Sequence, residues 1–98
     1  NVKTDDERVL AASAVFIAIG MRPYTAFLEG DLETDGGGYI VADAMGRTTM
    51  PGVFAAGDVR TKELRQVVTA VADGANCAQS ASEFLEAKEA IEEAPSAL

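Results

Sequence analysis

A chain of 98 residues, 48% hydrophobic and 24% charged, has the make-up of one small globular domain with a modest core. Sixteen acids against eight bases give a net charge of −8, which disfavours nucleic-acid binding, because phosphate backbones require basic surface. A single cysteine, Cys77, and no histidine exclude an internal disulfide framework, a CxxC pair, His-based triads and most zinc sites, and no metal site is expected.

The same cysteine usage suits a reducing, cytoplasmic setting. No apolar run approaches the roughly 20 residues of a membrane span, so no membrane partner is expected. A chain that begins at Asn1 rather than Met reads as an excised piece, a processed product or a chain with a tag removed. Charge is uneven along it. Arg22, Arg47, Arg60, Lys62 and Arg65 concentrate positive charge in the middle. After Gln66 come six acids, Asp73 and Glu83 among them, against the one base Lys88, the pattern of a solvated helix.

In chain order, Asp5-Asp6-Glu7 is turn-like and Arg8-Val9-Leu10 is a weak strand candidate. Ala14 to Ile19 is apolar at consecutive positions, the pattern of a strand covered on both faces. Gly20 ends it, and Pro23 forces Arg22 away from helical angles. Thr25 to Glu29 fits one helical turn closed by Gly30. Asp35-Gly36-Gly37-Gly38 is a hairpin turn rather than a phosphate loop, lacking the strand before and the helix after. Tyr39-Ile40-Val41 is a strand with one exposed face. Asp43-Ala44-Met45-Gly46 is a second turn, and Thr48 to Met50 is extended up to Pro51. Val53-Phe54-Ala55-Ala56 is a second buried strand. From Leu64 the period is helical: Leu64, Val67, Val68, Val71, Ala75, Ala78 and Leu85 fall on one apolar face. That helix is expected to reach about Ala87 or a few residues further, with Pro95 as the outer limit. The fold class is α/β, an incomplete FAD/NAD(P)-binding fold with few strands plus one long C-terminal helix. The opening strand, Gly-rich turn and helix of a doubly wound unit are missing.

Two places offer binding chemistry. Gly57-Asp58 ends a buried strand, where ligands of open α/β sheets sit. Asp58 is placed to accept hydrogen bonds from cofactor hydroxyls, with Gly57 allowing close approach. A strand-end turn also explains the pair, and is the better account of the dipeptide taken alone. Arg65-Gln66 begins the helix, where Arg opposes the dipole. An anionic ligand would explain it; so would pairing with Glu63 or Asp58. Gly74 costs about 1 kcal/mol inside a helix and suggests close packing. Cys77 reads as a small buried apolar residue.

Taken together, Val15 to Thr25, Gly38-Tyr39-Ile40-Val41, Thr48 to Asp58, and Arg65-Gln66-Val67-Val68 with Gly74 are more specific than any one of them. The set resembles the C-terminal third of bacterial thioredoxin reductases, from about Val9 to Leu85. The resemblance implies that residues 1–22 are the last strands of an NADPH-binding domain and residues 23–98 the returning segment of an FAD-binding domain. It implies that Gly57, Asp58, Arg65, Gln66 and Val67 contact FAD. Asp58 would take the ribityl chain, and backbone N–H groups at the helix start would face the pyrimidine carbonyl. Ile19 and Gly20 would lie near the pyridine nucleotide. The family's two glycine-rich motifs and its redox CxxC lie upstream of the matched region, so no catalytic residue falls in this chain.

The implied parent therefore uses FAD and NADPH and passes electrons to thioredoxin or a similar redox protein. The isolated chain is expected to bind neither cofactor tightly and to be inactive. Alternatives are a related flavoprotein, either a peroxiredoxin reductase or a thioredoxin-reductase-like ferredoxin–NADP reductase. A third is a non-enzymatic acidic module. Sheet edges left without neighbours favour a homo-oligomer, with strand exchange as one route.

Overall fold

The computed structural model describes residues 1–93, so the expected limit at Pro95 lies outside the described residues. Its regular elements are two short 3-10 turns, Ala26–Leu28 and Gly57–Val59, and one helix, α1, Val67–Glu93. Among the described residues no strand forms. Chain pairing is confined to three isolated bridges: Thr34 with Ile40 antiparallel, Ile40 with Arg60 parallel, and Arg47 with Phe54 antiparallel.

Two Asp turns build the body. Asp35 accepts the Gly38 N–H on its carbonyl at 3.0 Å, while its Oδ1 accepts from Gly37 and Tyr39. Asp43 repeats the arrangement, its carbonyl taking the Gly46 N–H and its Oδ1 taking Met45 and Arg47. Gly38 and Gly46 both close their turns at positive φ, 87° and 78°, a conformation that glycine adopts without steric cost. The turn at Thr25 to Glu29 forms as a 3-10 turn, and Gly30 follows it at φ 88°.

Between these turns Ile40 is the central residue. Its N–H donates to Val59 and its carbonyl accepts from Thr61, at 2.9 and 2.8 Å. This lays the 39–41 segment beside the 59–61 segment in parallel register. Leu32, Ile40 and Ala55 are the buried apolar residues, with Leu28, Ala42, Val53 and Val59 packed against them. That core is small, so hydrogen-bonded turns carry much of the architecture.

The expected strand at 14–19 is not found. Val15, Phe16, Ile17 and Ile19 are each more than 80% exposed. A doubly buried strand requires neighbours and covering layers, and no other part of the described chain supplies them. The weak candidate at 8–10 is likewise exposed and without strand structure. The segments 39–41 and 53–56 come closest to expectation. Each makes a bridge, and Ile40 and Ala55 are buried, but neither has the partners to extend into a strand. Thr48 to Met50 bends instead of extending, because Thr48 Oγ1 accepts from Met50 N–H and donates to the Val53 carbonyl.

α1 begins at Val67, three residues after the helical period starts at Leu64, so Arg65 and Gln66 precede the helix instead of opening it, and it runs to Glu93. Its packed face is not the expected one. Val67, Val68, Val71 and Leu85 remain 56% or more exposed, as does Leu64 just before the helix. The side turned to the body carries Ala70, Asp73, Cys77, Ser80 and Phe84, spaced by three and four. Small and polar residues allow the helix to approach the loop backbone closely. Ser80 Oγ donates to the Met45 carbonyl at 2.7 Å, Asn76 Nδ2 to Ala44, and Cys77 Sγ to Ala55. Phe84 closes the far end edge-on to Phe54, with ring centres 6.5 Å apart.

Two glycines give opposite predictions. A Cβ on Gly46 would collide with Cys77 Sγ and lie 3.1 Å from the Ala55 carbonyl, at a backbone φ of 78°. Gly46→Ala is expected to cost about 2–4 kcal/mol, the sum of left-handed strain and overpacking. Gly74 meets nothing within 4 Å, so Gly74→Ala should gain about 1 kcal/mol in this chain. Urea midpoints of the two variants check both signs; a neutral Gly46→Ala would refute the close approach of α1 to the second turn.

Candidate functional site

The 3-10 turn Gly57–Val59 sits directly before α1 and is held from two sides. Gly57 has φ 84°, and its N–H donates to Asp73 Oδ2 at 2.9 Å. Asp73 lies in the second turn of the helix and is 8% exposed. The same Oδ2 accepts from Lys62 Nζ at 2.6 Å, and Oδ1 accepts from Arg60 Nη1 at 3.1 Å. Arg60 continues through Nη2 to the Asp43 carbonyl at 3.0 Å, while its Nε is buried without a partner among the described residues. One carboxylate thus joins the turn, the following loop, the helix and, through Arg60, the second Asp turn.

Such a cluster is costly to break. Burying charges is offset only by good geometry, and removing one member of a buried pair costs roughly 3–5 kcal/mol. The Lys62 hydrogen bond holds the Asp73 carboxyl below the ordinary aspartate value. Burial opposes this, and the Gly57 N–H and the two cations reinforce it.

Arg65 grips the turn from the other side. Its Nε donates to the Asp58 carbonyl at 3.0 Å and its Nη2 to the Arg60 carbonyl at 3.1 Å. The guanidinium lies over the Tyr39 ring at 3.9 Å, a cation–π contact. Of the partners expected for Arg65, it meets Asp58, but through the backbone carbonyl and not the carboxylate.

Asp58 itself is exposed, and among the described residues its carboxylate accepts no hydrogen bond and pairs with no cation. At the start of α1, Thr69 Oγ1 accepts the Gln66 N–H at 3.0 Å and donates to the Leu64 and Gln66 carbonyls. The Gln66 carbonyl takes the Ala70 N–H. Val67 and Val68 then stand at the first two helical positions, whose N–H groups have no intrahelical acceptor. Both side chains are exposed. The structure therefore brings Gly57, Asp58, Arg65, Gln66 and Val67 to one rim.

Sequence reasoning does not single out Arg60, Lys62 or Asp73 as functional residues, and it groups Asp73 with the solvated acids. The signal that finds Asp73 is its place in the 70-73-77-80 stripe of small residues. Cys77, expected as a small buried apolar residue, is half-buried and donates its thiol to the Ala55 carbonyl; burial first, then the nearby Asp73 charge, pushes that thiol up. Among the described residues no cluster of His, Cys, Asp or Glu is arranged to hold a metal ion. None of their helices is long and apolar enough to cross a membrane.

Residues 1–74 match the model of the pyridine nucleotide-disulphide oxidoreductase family. The chain belongs to that family. It is 51% identical over 86 residues to a thioredoxin reductase of Treponema pallidum, covering 88% of this chain and 28% of the relative. It is 43% identical over 82 residues to an alkyl hydroperoxide reductase protein of Pseudomonas putida, covering 84% of this chain and 16% of that relative. Among solved structures, the thioredoxin reductase of Streptococcus pyogenes superposes with a TM-score of 0.73 at 46% identity, over 89% of this chain and 28% of that one. The chain thus spans little more than a quarter of the thioredoxin reductases it matches, and the resemblance read from its motifs holds.

Because the Asp73 pKa is lowered on folding, its stabilising contribution is full above the unfolded aspartate value near 3.9 and is lost as pH falls through the lower folded value. The urea midpoint should therefore drop below about pH 4. Asp73→Asn should flatten that drop, leaving the part owed to Asp43, whose carboxyl the Arg47 N–H also holds low. An unchanged slope in Asp73→Asn would show that this carboxylate is not the group being protonated.

Proposed function

We propose that this chain is a segment of an NADPH-dependent disulfide reductase acting on thioredoxin or a similar redox protein, and that it supplies one wall of that enzyme's FAD site. In this reading residues 1–22 close the NADPH-binding domain and residues 23–98 return to the FAD-binding domain. The observation that carries it is the rim itself. Asp58, whose exposed carboxylate is unpaired among the described residues, is tied by its backbone carbonyl to Arg65, just before a helix whose first N–H groups at Val67 and Val68 have no intrahelical acceptor. The residue set fits the cofactor. Asp58 can accept hydrogen bonds from ribityl hydroxyls, and Gly57 presents no side chain to a ligand. The N–H groups of Val67 and Val68 favour an electron-rich atom, since a helix start carries partial positive charge, while the Gln66 N–H is taken by Thr69 Oγ1.

FAD, when bound, supplies electron transfer between a nicotinamide and a disulfide. The chain's own part is to hold the flavin and stabilise negative charge on its pyrimidine edge. The redox disulfide must come from elsewhere, because Cys77 is the chain's one cysteine and is held as a thiol against the Ala55 carbonyl. The isolated 98-residue chain is accordingly inactive, and the full-length enzyme works in a reducing, cytoplasmic compartment.

Asp58→Ala in the full-length flavoenzyme is expected to weaken FAD binding about 10- to 100-fold, the scale of a hydrogen bond to a charged group. Flavin absorbance per protein after gel filtration reads this. Full retention would remove Asp58 from the site.

The alkyl hydroperoxide reductase relative favours a second electron acceptor for the same wall; a middle-domain CxxC upstream would support either disulfide reductase, and its absence would sink both. A separate observation concerns the chain on its own. Phe16 and Ile19 are more than 90% exposed, and Val67, Val68 and Val71 form a second uncovered apolar surface. Contiguous apolar surface of this kind promotes association. Light scattering of the isolated chain should give a multiple of 10.2 kDa; a monomer at high micromolar concentration would refute self-association.

A further inference from the structure

We infer that Asp73 is a positioning residue for the proposed flavin wall: it fixes the Gly57–Asp58 turn in register with the start of α1. The inference rests on the flavin reading above and adds a residue that never touches the ligand. Three observations support it. Asp73 is 8% exposed, yet it lies on a helix whose other acids face solvent. Its Oδ2 receives both the Gly57 N–H and Lys62 Nζ, and its Oδ1 receives Arg60. Gly57 adopts φ 84°, a conformation held in place by this anchor on its N–H.

The geometry assigns separate tasks to the two sides of the turn. Asp73 holds its N-terminal N–H, and Arg65 holds the Asp58 and Arg60 carbonyls. With one end tied to α1 and the other to Arg65 just before it, the Asp58 carboxylate and the first N–H groups of the helix keep a fixed separation. A ligand that contacts both needs that separation. Loosening such a support by a fraction of an ångström weakens the site while leaving its ligating groups present.

Lys62 is the second cation on the single Asp73 carboxylate and shares Oδ2 with Gly57. Lys62→Met keeps the aliphatic stem and removes the ammonium, leaving Asp73 bound to Arg60 alone among cations. Asp73→Asn keeps an acceptor of similar shape for Gly57 and removes the charge. Asp73→Glu retains the charge with a longer reach.

The test uses the full-length flavoenzyme, with apoprotein titrated by FAD and the flavin spectrum recorded well below the melting temperature. Asp73→Asn and Lys62→Met should each raise the FAD Kd about ten-fold, the loss of one charge-assisted hydrogen bond, and alter the flavin band shape. Asp73→Glu should recover part of the affinity. If the two variants lower the melting temperature but keep FAD affinity within about two-fold and an unchanged flavin spectrum, Asp73 is structural only and the inference fails. Asp58→Ala run beside them separates the two levels. Loss of FAD in Asp58→Ala alone overturns the positioning role and leaves the flavin wall standing. Retention in all the variants overturns both.

Discussion

The buried carboxylate of Asp73 is the constraint on which the rest of this chain depends. With three buried apolar residues among those described, the core alone cannot fix how the loops meet the helix. Asp73 does so by satisfying groups from three places at once: the Gly57 N–H, Lys62 after the 3-10 turn, and Arg60, which reaches on to the Asp43 carbonyl. Each of these groups is costly to leave unpaired once buried. The mutual dependence selects one arrangement out of the many a small, loop-rich core would permit. Such a network adds definition more than net stability, because desolvation consumes much of its attraction.

The apolar surface of the chain is the complement of this polar anchor. The face of α1 that sequence periodicity marks as core, Val67 to Leu85, is exposed, and so is the apolar run at 14–19. Gly74 lies in the same helix with open space around it. A glycine in a helix interior, an uncovered valine stripe and a strand-like apolar run are each unfavourable in isolation. In the proposed reading, where the chain is a segment of a larger flavoenzyme, the three become reasonable together as surfaces covered by the rest of that enzyme. Periodicity marked the valine stripe and the apolar run as surfaces for burial, and among the described residues nothing covers them.

What was legible in the sequence follows the range of the forces involved. The Asp35 and Asp43 turns, the 3-10 turn closed by Gly30 and the helix from the mid-sixties are set within a few residues, and each forms where expected. The strands are set by neighbours, and among the described residues none forms, although Ile40 and Ala55 find their expected burial. The candidate residues Gly57-Asp58 and Arg65-Gln66 stood out as a compact motif, and the Arg65 bond to the Asp58 carbonyl brings the two pairs together. Their support was not legible. Asp73 is eleven residues from Lys62 and thirteen from Arg60, and an acid in an acidic helix gives no local sign of burial. Only its spacing from Ala70, Cys77 and Ser80 marks the packed face.

Arg65 shows how the two scales of interaction combine. A cation at a helix start opposes the dipole by a few tenths to about 1 kcal/mol. Here the guanidinium directs its donors away from the helix, to the Asp58 and Arg60 carbonyls, and rests on the Tyr39 ring. The repulsion is offset by two charge-assisted hydrogen bonds and a cation–π contact. The helix N–H groups stay open, since the residue nearest them is engaged elsewhere. In the proposed flavin wall, that division gives each group a separate task. Arg65 shapes the turn, Asp58 meets hydroxyls, and the helix start meets the electron-rich edge. A lysine at position 65 could place its charge but not reproduce the planar fork that spans two carbonyls and stacks on an aromatic ring.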